Sequence, residues 1–214
     1  MRSKSLDSTL DEIGLKYGTD KASSGHDYLF SYERFLSAFR NDSFTLLEIG
    51  GLTGASLRMW SEYFPNAKIV CLDINPKVKE FESSRVSVEI GNAADQRFLK
   101  ATIEKHGPFG VVLDDGSHRW DHLSIAFNAF YDGLVAPGIY IVEDLHTNFE
   151  GRYAGTYDVP FFRTLEGIAQ FMSARGDARR ALHAMHRPTI AKAAAETASV
   201  TFIRSACILV KRLA

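Results

Sequence analysis

Two short stretches concentrate the side chains able to do chemistry. Asp114-Asp115-Gly116-Ser117-His118 closes one apolar run, and Glu143-Asp144-Leu145-His146 closes another. Four carboxylates at the ends of neighbouring strands repel strongly at low dielectric, so paired acids of this kind call for a cation. Oxygen donors favour a hard metal such as Mg2+, Mn2+ or Ca2+. Side chains alternate along a strand, so Asp114 and Asp115 face opposite ways unless the strand end twists. Asp115, nearer the tip, is the expected ligand, and Asp114 is left for a cofactor or the backbone. Glu143 and Asp144 both reach a metal if their strand ends there. The plainer reading is that Asp115 or Ser117 caps the following helix. His118 stands at that helix start, where a neutral imidazole can take a proton from a hydroxyl. His122 lies one turn on, so His118 and His122 offer a second reading as two ligands on one helix face. The wealth of carboxylates disfavours a zinc site of that kind and leaves His122 a supporting role.

A second group of residues sits at three other strand ends. Glu48-Ile49-Gly50-Gly51-Leu52-Thr53-Gly54-Ala55-Ser56 carries glycines that let the backbone turn tightly and approach a ligand. The spacing is Gly50-x-x-x-Gly54 with an extra Gly51, not the G-x-G-x-x-G that cradles a pyrophosphate. An acid two positions before the first glycine suits a ligand with a cationic amine and no phosphate, and S-adenosylmethionine fits. Asp73 ends the second strand, 23 residues beyond Gly50, where a carboxylate commonly holds ribose hydroxyls. Asn92 ends the third, where an adenine edge would lie. A tight structural turn is the alternative for the loop alone.

The elements that must position these residues are legible in outline. FTLLEIGG (44–51), AKIVCLDI (67–74) and VSVEIGN (86–92) read as strands, and ASLRMWSEYF (55–64) has Leu57, Trp60 and Phe64 at helical spacing. DQRFLKATIEKHG (95–107) and HRWDHLSIAFNAFYDGL (118–134) read as helices around a fourth strand, FGVVLDDGS (109–117); APGIYIVEDLH (136–146) is a fifth. This alternation predicts an α/β fold, a mostly parallel sheet with helices on both faces. SVTFIRSACILVKR (199–212) holds two β-rich runs with no helix between them, expected as an antiparallel hairpin at the sheet edge. Residues 1–40 read as a helical cap, and the aromatic stretch 147–162 as an acceptor loop or lid. RGDARRALHAMHRP (175–188) and AKAAAETA read as helices, the first with a solvated face.

Composition narrows the function classes. The 214 residues make one domain, and 45% hydrophobic with 24% charged content excludes wholesale disorder. Lys plus Arg is 25 against 26 for Asp plus Glu, a net charge of −1 that argues against a nucleic-acid partner. No apolar stretch approaches ~18 residues, so no membrane partner is expected. The opening MRSKSLDSTLDEIG carries no secretion signature. Cys71 and Cys207 sit in apolar runs and read as buried thiols in a reducing, cytoplasmic setting.

Four blocks together, KYGTDKASSGHDYLFSYERFL, LLEIGGLTGASLRMWSEYFPNAKIVCLDI, DDGSHRWDH and GIYIVEDLHTNFE, resemble the metal-dependent sugar O-methyltransferases of macrolide biosynthesis. Rhamnosyl O-methyltransferases and enzymes that methylate mycobacterial polymethylated mannose chains share the pattern. The resemblance implies a Rossmann-like class I methyltransferase fold with a seven-stranded sheet. It implies S-adenosylmethionine as cofactor, with Mg2+ or Mn2+ on Asp115, Glu143 and Asp144 and His118 as general base. It implies cofactor contacts from Thr19, Glu48, Gly50, Gly51, Gly54, Ser56, Asp73, Asn92 and Ala93, with Asp114 alongside. Two departures stand out. Ala93 replaces a glutamine common in the family, and Thr147-Asn148-Phe149-Glu150 replaces its Thr-Ser-Tyr-Trp.

The expected reaction is methylation of a sugar hydroxyl on a glycoside, oligosaccharide or glycosylated natural product. A catechol acceptor is the rival within the class. An NAD-dependent oxidoreductase and a non-catalytic binding protein are the rivals outside it, since a fold does not prove a reaction. Apolar faces in residues 1–40 or the last helix would support a homodimer or higher homo-oligomer.

Overall fold

Apolar runs that end in glycine or a carboxylate become the strands β1 (Thr45–Ile49), β2 (Lys68–Asp73), β3 (Val86–Ile90), β4 (Phe109–Asp114) and β5 (Leu134–Val142) of a computed structural model describing residues 8–213. Residues 1–7 of the expected N-terminal cap lie outside the described residues. β6 (Thr197–Ile203) and β7 (Ala206–Lys211) form the expected closing hairpin. The seven strands run in the order β3-β2-β1-β4-β5-β7-β6, the first five mutually parallel and β7 antiparallel to both neighbours. The order reverses between β1 and β4, and such a switch point opens a crevice at the carboxyl ends of the strands.

Helices cover both faces. α1 (Leu10–Tyr17), α2 (Leu29–Leu36) and α3 (Ala55–Tyr63) bury Leu10, Ile13, Tyr32, Trp60 and Tyr63 against one face. α4 (Gln96–His106), α5 (Trp120–Asp132), α6 (Phe162–Ser173) and α8 (Pro188–Glu196) bury Leu99, Phe127, Phe130, Phe171 and Ala194 against the other. α7 (Gly176–Met185) buries no residue fully, as its solvated face predicts. Local chemistry sets several ends. Thr9 and Glu12 form a reciprocal cap at the start of α1, and the Asp95 carboxylate accepts from the backbone N–H of Arg97 and Phe98 at the start of α4. Gly54 opens α3 at φ 68° with the Phe81 ring against it, leaving no room for a Cβ.

Period-two alternation decides where each acid points. Leu46, Ile69, Val111 and Ile141 face the α1–α3 side, while Leu47, Val70, Val112 and Val142 face the other. Glu48 and Glu143 therefore fall on the α1–α3 side, and Asp114 falls on the opposite one. Cys71 and Cys207 are buried free thiols, and burial pushes Cys207 up to about 12. Phe130 is fully buried edge-on to Phe109 at 5.7 Å between ring centroids. Phe130→Ala is expected to cost ~3–5 kcal/mol through lost burial and a cavity, read by urea unfolding.

Candidate functional site

A groove of about 380 Å3 lies at the switch point. Gly50, Leu52, Asp73, Ile74, Asn92 and Ala93 line one side, from the loops after β1, β2 and β3. Asp115, Gly116, Ser117, His118 and Asp144 line the other, from the loops after β4 and β5. A neighbouring recess of about 160 Å3 lies between Thr19–Lys21 and the loop, and Gly51 and Ser56 line it. The backbone ladder holds these tips in register: Gly50 N–H donates to Leu72 at 2.8 Å, Asp115 N–H to Ile49 at 3.0 Å, and Glu143 N–H to Asp114 at 3.0 Å.

On the glycine-loop side, one Asp73 oxygen accepts from the backbone of Gly51 at 2.8 Å and the other from Asn75 at 2.8 Å, so the residue fixes the loop it faces. The Asn92 side chain accepts from Ala94 N–H at 2.9 Å. Glu48 is wholly buried beneath the loop, accepting from the Ser56 hydroxyl at 2.9 Å. Burial pushes its carboxyl up to about 7 against the pull of Lys21. Asp114, also pushed up to about 7 by burial, lies under the β4 tip. Glu48 and Asp114 do not line the groove, and Gly54 serves as the cap of α3.

On the acid side, ligand atoms of Asp115, His118 and Asp144 lie within 4.8 Å of one another. His118 Nε2 stands 3.6 Å from Asp144 and 3.9 Å from Asp115. His118 and Asp144 both hold left-handed backbone, φ 56° and 53°, costly for residues with a Cβ. Such strain concentrates at functional sites. Glu143, the other expected ligand, is held elsewhere: Lys21 donates to one oxygen at 3.0 Å and the Tyr32 hydroxyl to the other at 3.0 Å. Tyr28 donates to Asp144 at 2.9 Å. His122 hydrogen-bonds Ser117 at 2.8 Å and stays outside the three-residue group.

The donor set fits a hard divalent cation. Burial pushes the Glu143 carboxyl well above its ordinary range and raises Asp115, with Lys21 opposing both. Charged acids so placed are short of positive charge. Glu48 Oε1 and His118 Nδ1 are buried without hydrogen-bond partners. The groove fits a cofactor of nucleoside size, with Asp73 on the glycine-loop side and Asp20, Asp115 and Asp144 also among its lining residues.

The long loop after β5 is tied down by a residue that sequence reasoning did not single out. Asp121 accepts from the Thr156 N–H at 2.8 Å and the Thr156 hydroxyl at 2.9 Å. Burial opposes its charge, but Thr156 and Arg119 outweigh that and hold the carboxyl well below the usual range. A depressed folded-state pKa contributes stability that is complete above about pH 4 and lost as pH falls further. Asp121→Asn is expected to speed proteolytic cleavage near residues 150–158, read by timed digestion. Lys21, Tyr28 and Tyr32 were likewise unassigned. All three lie in the KYGTDKASSGHDYLFSYERFL block that carried the resemblance.

The sheet order, the antiparallel closing pair and the groove at the switch point define a class I methyltransferase fold. The chain's homologues in sequence are sugar O-methyltransferases. It is 34% identical over 158 residues to L-olivosyl-oleandolide 3-O-methyltransferase of Streptomyces antibioticus, covering 68% of this chain and 39% of that one. It is 34% identical over 153 residues to 8-demethyl-8-alpha-L-rhamnosyl tetracenomycin-C 2'-O-methyltransferase of Streptomyces olivaceus, covering 68% and 40%. It is 33% identical over 156 residues to mycinamicin VI 2''-O-methyltransferase of Micromonospora griseorubida, covering 70% and 39%. The matches thus span about two-fifths of these relatives' length. Among solved structures, the MycE methyltransferase of the mycinamycin biosynthetic pathway, in complex with Mg, SAH and mycinamycin VI, superposes at TM-score 0.82 with 25% identity over 97% of this chain and 56% of that one. A caffeoyl-CoA O-methyltransferase-like protein from Staphylococcus aureus shares the fold at TM-score 0.51 and 12% identity, over 85% of this chain and 81% of that one. No protein-family model matches the chain.

Proposed function

We propose that the chain is an S-adenosylmethionine- and Mg2+-dependent O-methyltransferase acting on a sugar hydroxyl of a glycoside, oligosaccharide or glycosylated natural product. One observation carries the reading: a glycine-loop groove meets a carboxylate–imidazole cluster at the switch point of this sheet. The sugar O-methyltransferase relatives supply the acceptor class.

Asp115 and Asp144, with Glu143 behind them, would hold the cation. The loop from Gly50 to Gly54, together with Asp73, Asn92 and Ala93, would hold the cofactor, and Thr19 closes the adjoining recess. Glu48, Ser56 and Asp114 act from beneath, fixing the loop and the β4 tip. When bound, S-adenosylmethionine supplies a methyl group on a sulfonium, and Mg2+ supplies charge stabilisation for a developing alkoxide. His118 Nε2 faces both aspartates and takes the proton of the acceptor hydroxyl. The same carboxylates stabilise the imidazolium that results. Phe149, exposed on the loop after β5, and Tyr153 and Tyr157 offer aromatic surface to the acceptor.

The test is methyl transfer from S-adenosylmethionine to a panel of glycosides and catechols, with Mg2+ and with EDTA. Methylated sugar that disappears in EDTA is expected. A methylated catechol alone, or metal-independent transfer, contradicts the reading. Among the described residues no helix is long and apolar enough to cross a membrane, and the two buried free thiols support a reducing, cytoplasmic setting. Exposed Phe30 and Leu15 on α2 and α1 support a homo-oligomer, which sedimentation would measure.

A further inference from the structure

Lys21 is 1% exposed, a burial that a lysine tolerates only when its charge is matched. Its backbone is fixed, because its carbonyl accepts from the N–H of Tyr28 at 2.9 Å and of Leu29 at 3.3 Å. Its ammonium reaches three acids from three strand tips. It touches Asp115, donates to Glu143 at 3.0 Å and lies 3.7 Å from Glu48. An ammonium has donors and no acceptor; it hydrogen-bonds Asp115 and Glu143 and acts on Glu48 through charge alone.

The cluster therefore has an inner and an outer half. Glu48 and Glu143 lie inside, fully covered, with Lys21 between them. Asp144 and His118 lie outside, on the groove. Asp115 belongs to both: one oxygen meets Lys21 and the other faces His118 at 3.9 Å. A cation on the outer group must share Asp115 with an ammonium already seated on it. Like charges on one carboxylate repel, and the covered side of the cluster is poorly screened.

We propose that Lys21 is a resident counter-cation of the acid cluster, holding the inner carboxylates and weakening the outer site's grip on a divalent cation by competing for Asp115. The inference rests on the reading of the outer group as a cation site. Lys21 acts through Asp115 as a positioning residue. A loosely held cation leaves the groove free to exchange ligands, whereas an uncompensated cluster of four acids would bind the ion tightly.

The probe is Mn2+, with free ion counted by electron paramagnetic resonance against the full chain, its Lys21→Met variant and its Lys21→Gln variant. Thermal unfolding is followed with and without Mn2+. Both variants are expected to bind Mn2+ at least about tenfold tighter than wild type. Both should melt lower than wild type without the ion and recover most of the loss with it. Equal or weaker Mn2+ affinity in a folded variant overturns the proposal. So does a variant that stays unfolded in saturating Mn2+, since the ion should replace the missing charge. Failure of the wild type and both variants to bind any Mn2+ is a different result, which removes the cation reading itself and this proposal with it.

Discussion

His118→Ala is expected to lower turnover by ~10²–10⁴-fold, the usual worth of a positioned general base, while S-adenosylhomocysteine binds nearly as to wild type. A sugar hydroxyl is far too weakly acidic to ionise unaided near neutral pH, so under the proposed function the loss of His118 falls on the chemical step. The imidazole sits at the groove between Asp144 at 3.6 Å and Asp115 at 3.9 Å, held there by a left-handed backbone that only a specific turn would impose. Cofactor affinity should survive, because the glycine loop, Asp73 and Asn92 come from the opposite wall. Turnover and calorimetric binding on the same preparation separate the two effects. Near-normal turnover in the variant would move the base elsewhere.

Asp115→Ala is expected to cut turnover by at least ~10²-fold, with no recovery in excess Mg2+. A cation's charge stabilisation of a transition state is worth several kcal/mol, and each 1.36 kcal/mol is tenfold in rate. Asp115 is the acid shared by both halves of the cluster, so its loss removes a proposed outer ligand and leaves Lys21 facing Glu143 and Glu48 alone. Mn2+ affinity should fall in parallel. A variant that keeps wild-type Mn2+ affinity would show that Asp115 holds no cation. The contrast with Lys21→Met is sharp, since the two substitutions should move metal affinity in opposite directions.

Much of the frame was readable because the strands are apolar runs that stop at glycine or a carboxylate. The opposite facing of Asp114 and Asp115 followed from period two alone. The order of Gly50, Asp73 and Asn92 along three strand tips followed from the alternation of strands and helices. Boundaries shifted where backbone geometry intervened. The fifth strand was expected over 136–146 and runs Leu134–Val142, because left-handed Asp144 breaks it before His146. α6 gave no start signal, since Phe161 precedes it without a side-chain cap. Pro188 at the first position of α8 separates it from α7.

The candidate site was legible as a list of acids but not as an arrangement. Spacing along the chain brings Glu143 and Asp144 together, yet the end of β5 sends them to different partners. Glu143 turns inward to Lys21 and Tyr32, and Asp144 turns outward to Tyr28 and His118. Lys21 lies 94 residues from Asp115 and 122 from Glu143 in sequence, so no local pattern announces the pairing. Only the return of the segment after α1 over the β1, β4 and β5 tips makes it. Asp121 was hidden for the same reason, its partner Thr156 lying 35 residues away.

Calorimetric titration with S-adenosylmethionine and S-adenosylhomocysteine, with and without Mg2+, on wild type and Asp73→Ala, tests the methyltransferase reading most directly. Asp73 lines the groove on the loop side, its carboxylate accepting from the backbone of Gly51 and Asn75. Micromolar binding to wild type that Asp73→Ala weakens is the expected result, and only the acceptor would then remain to be found. Absence of binding under every condition would contradict the methyltransferase reading outright.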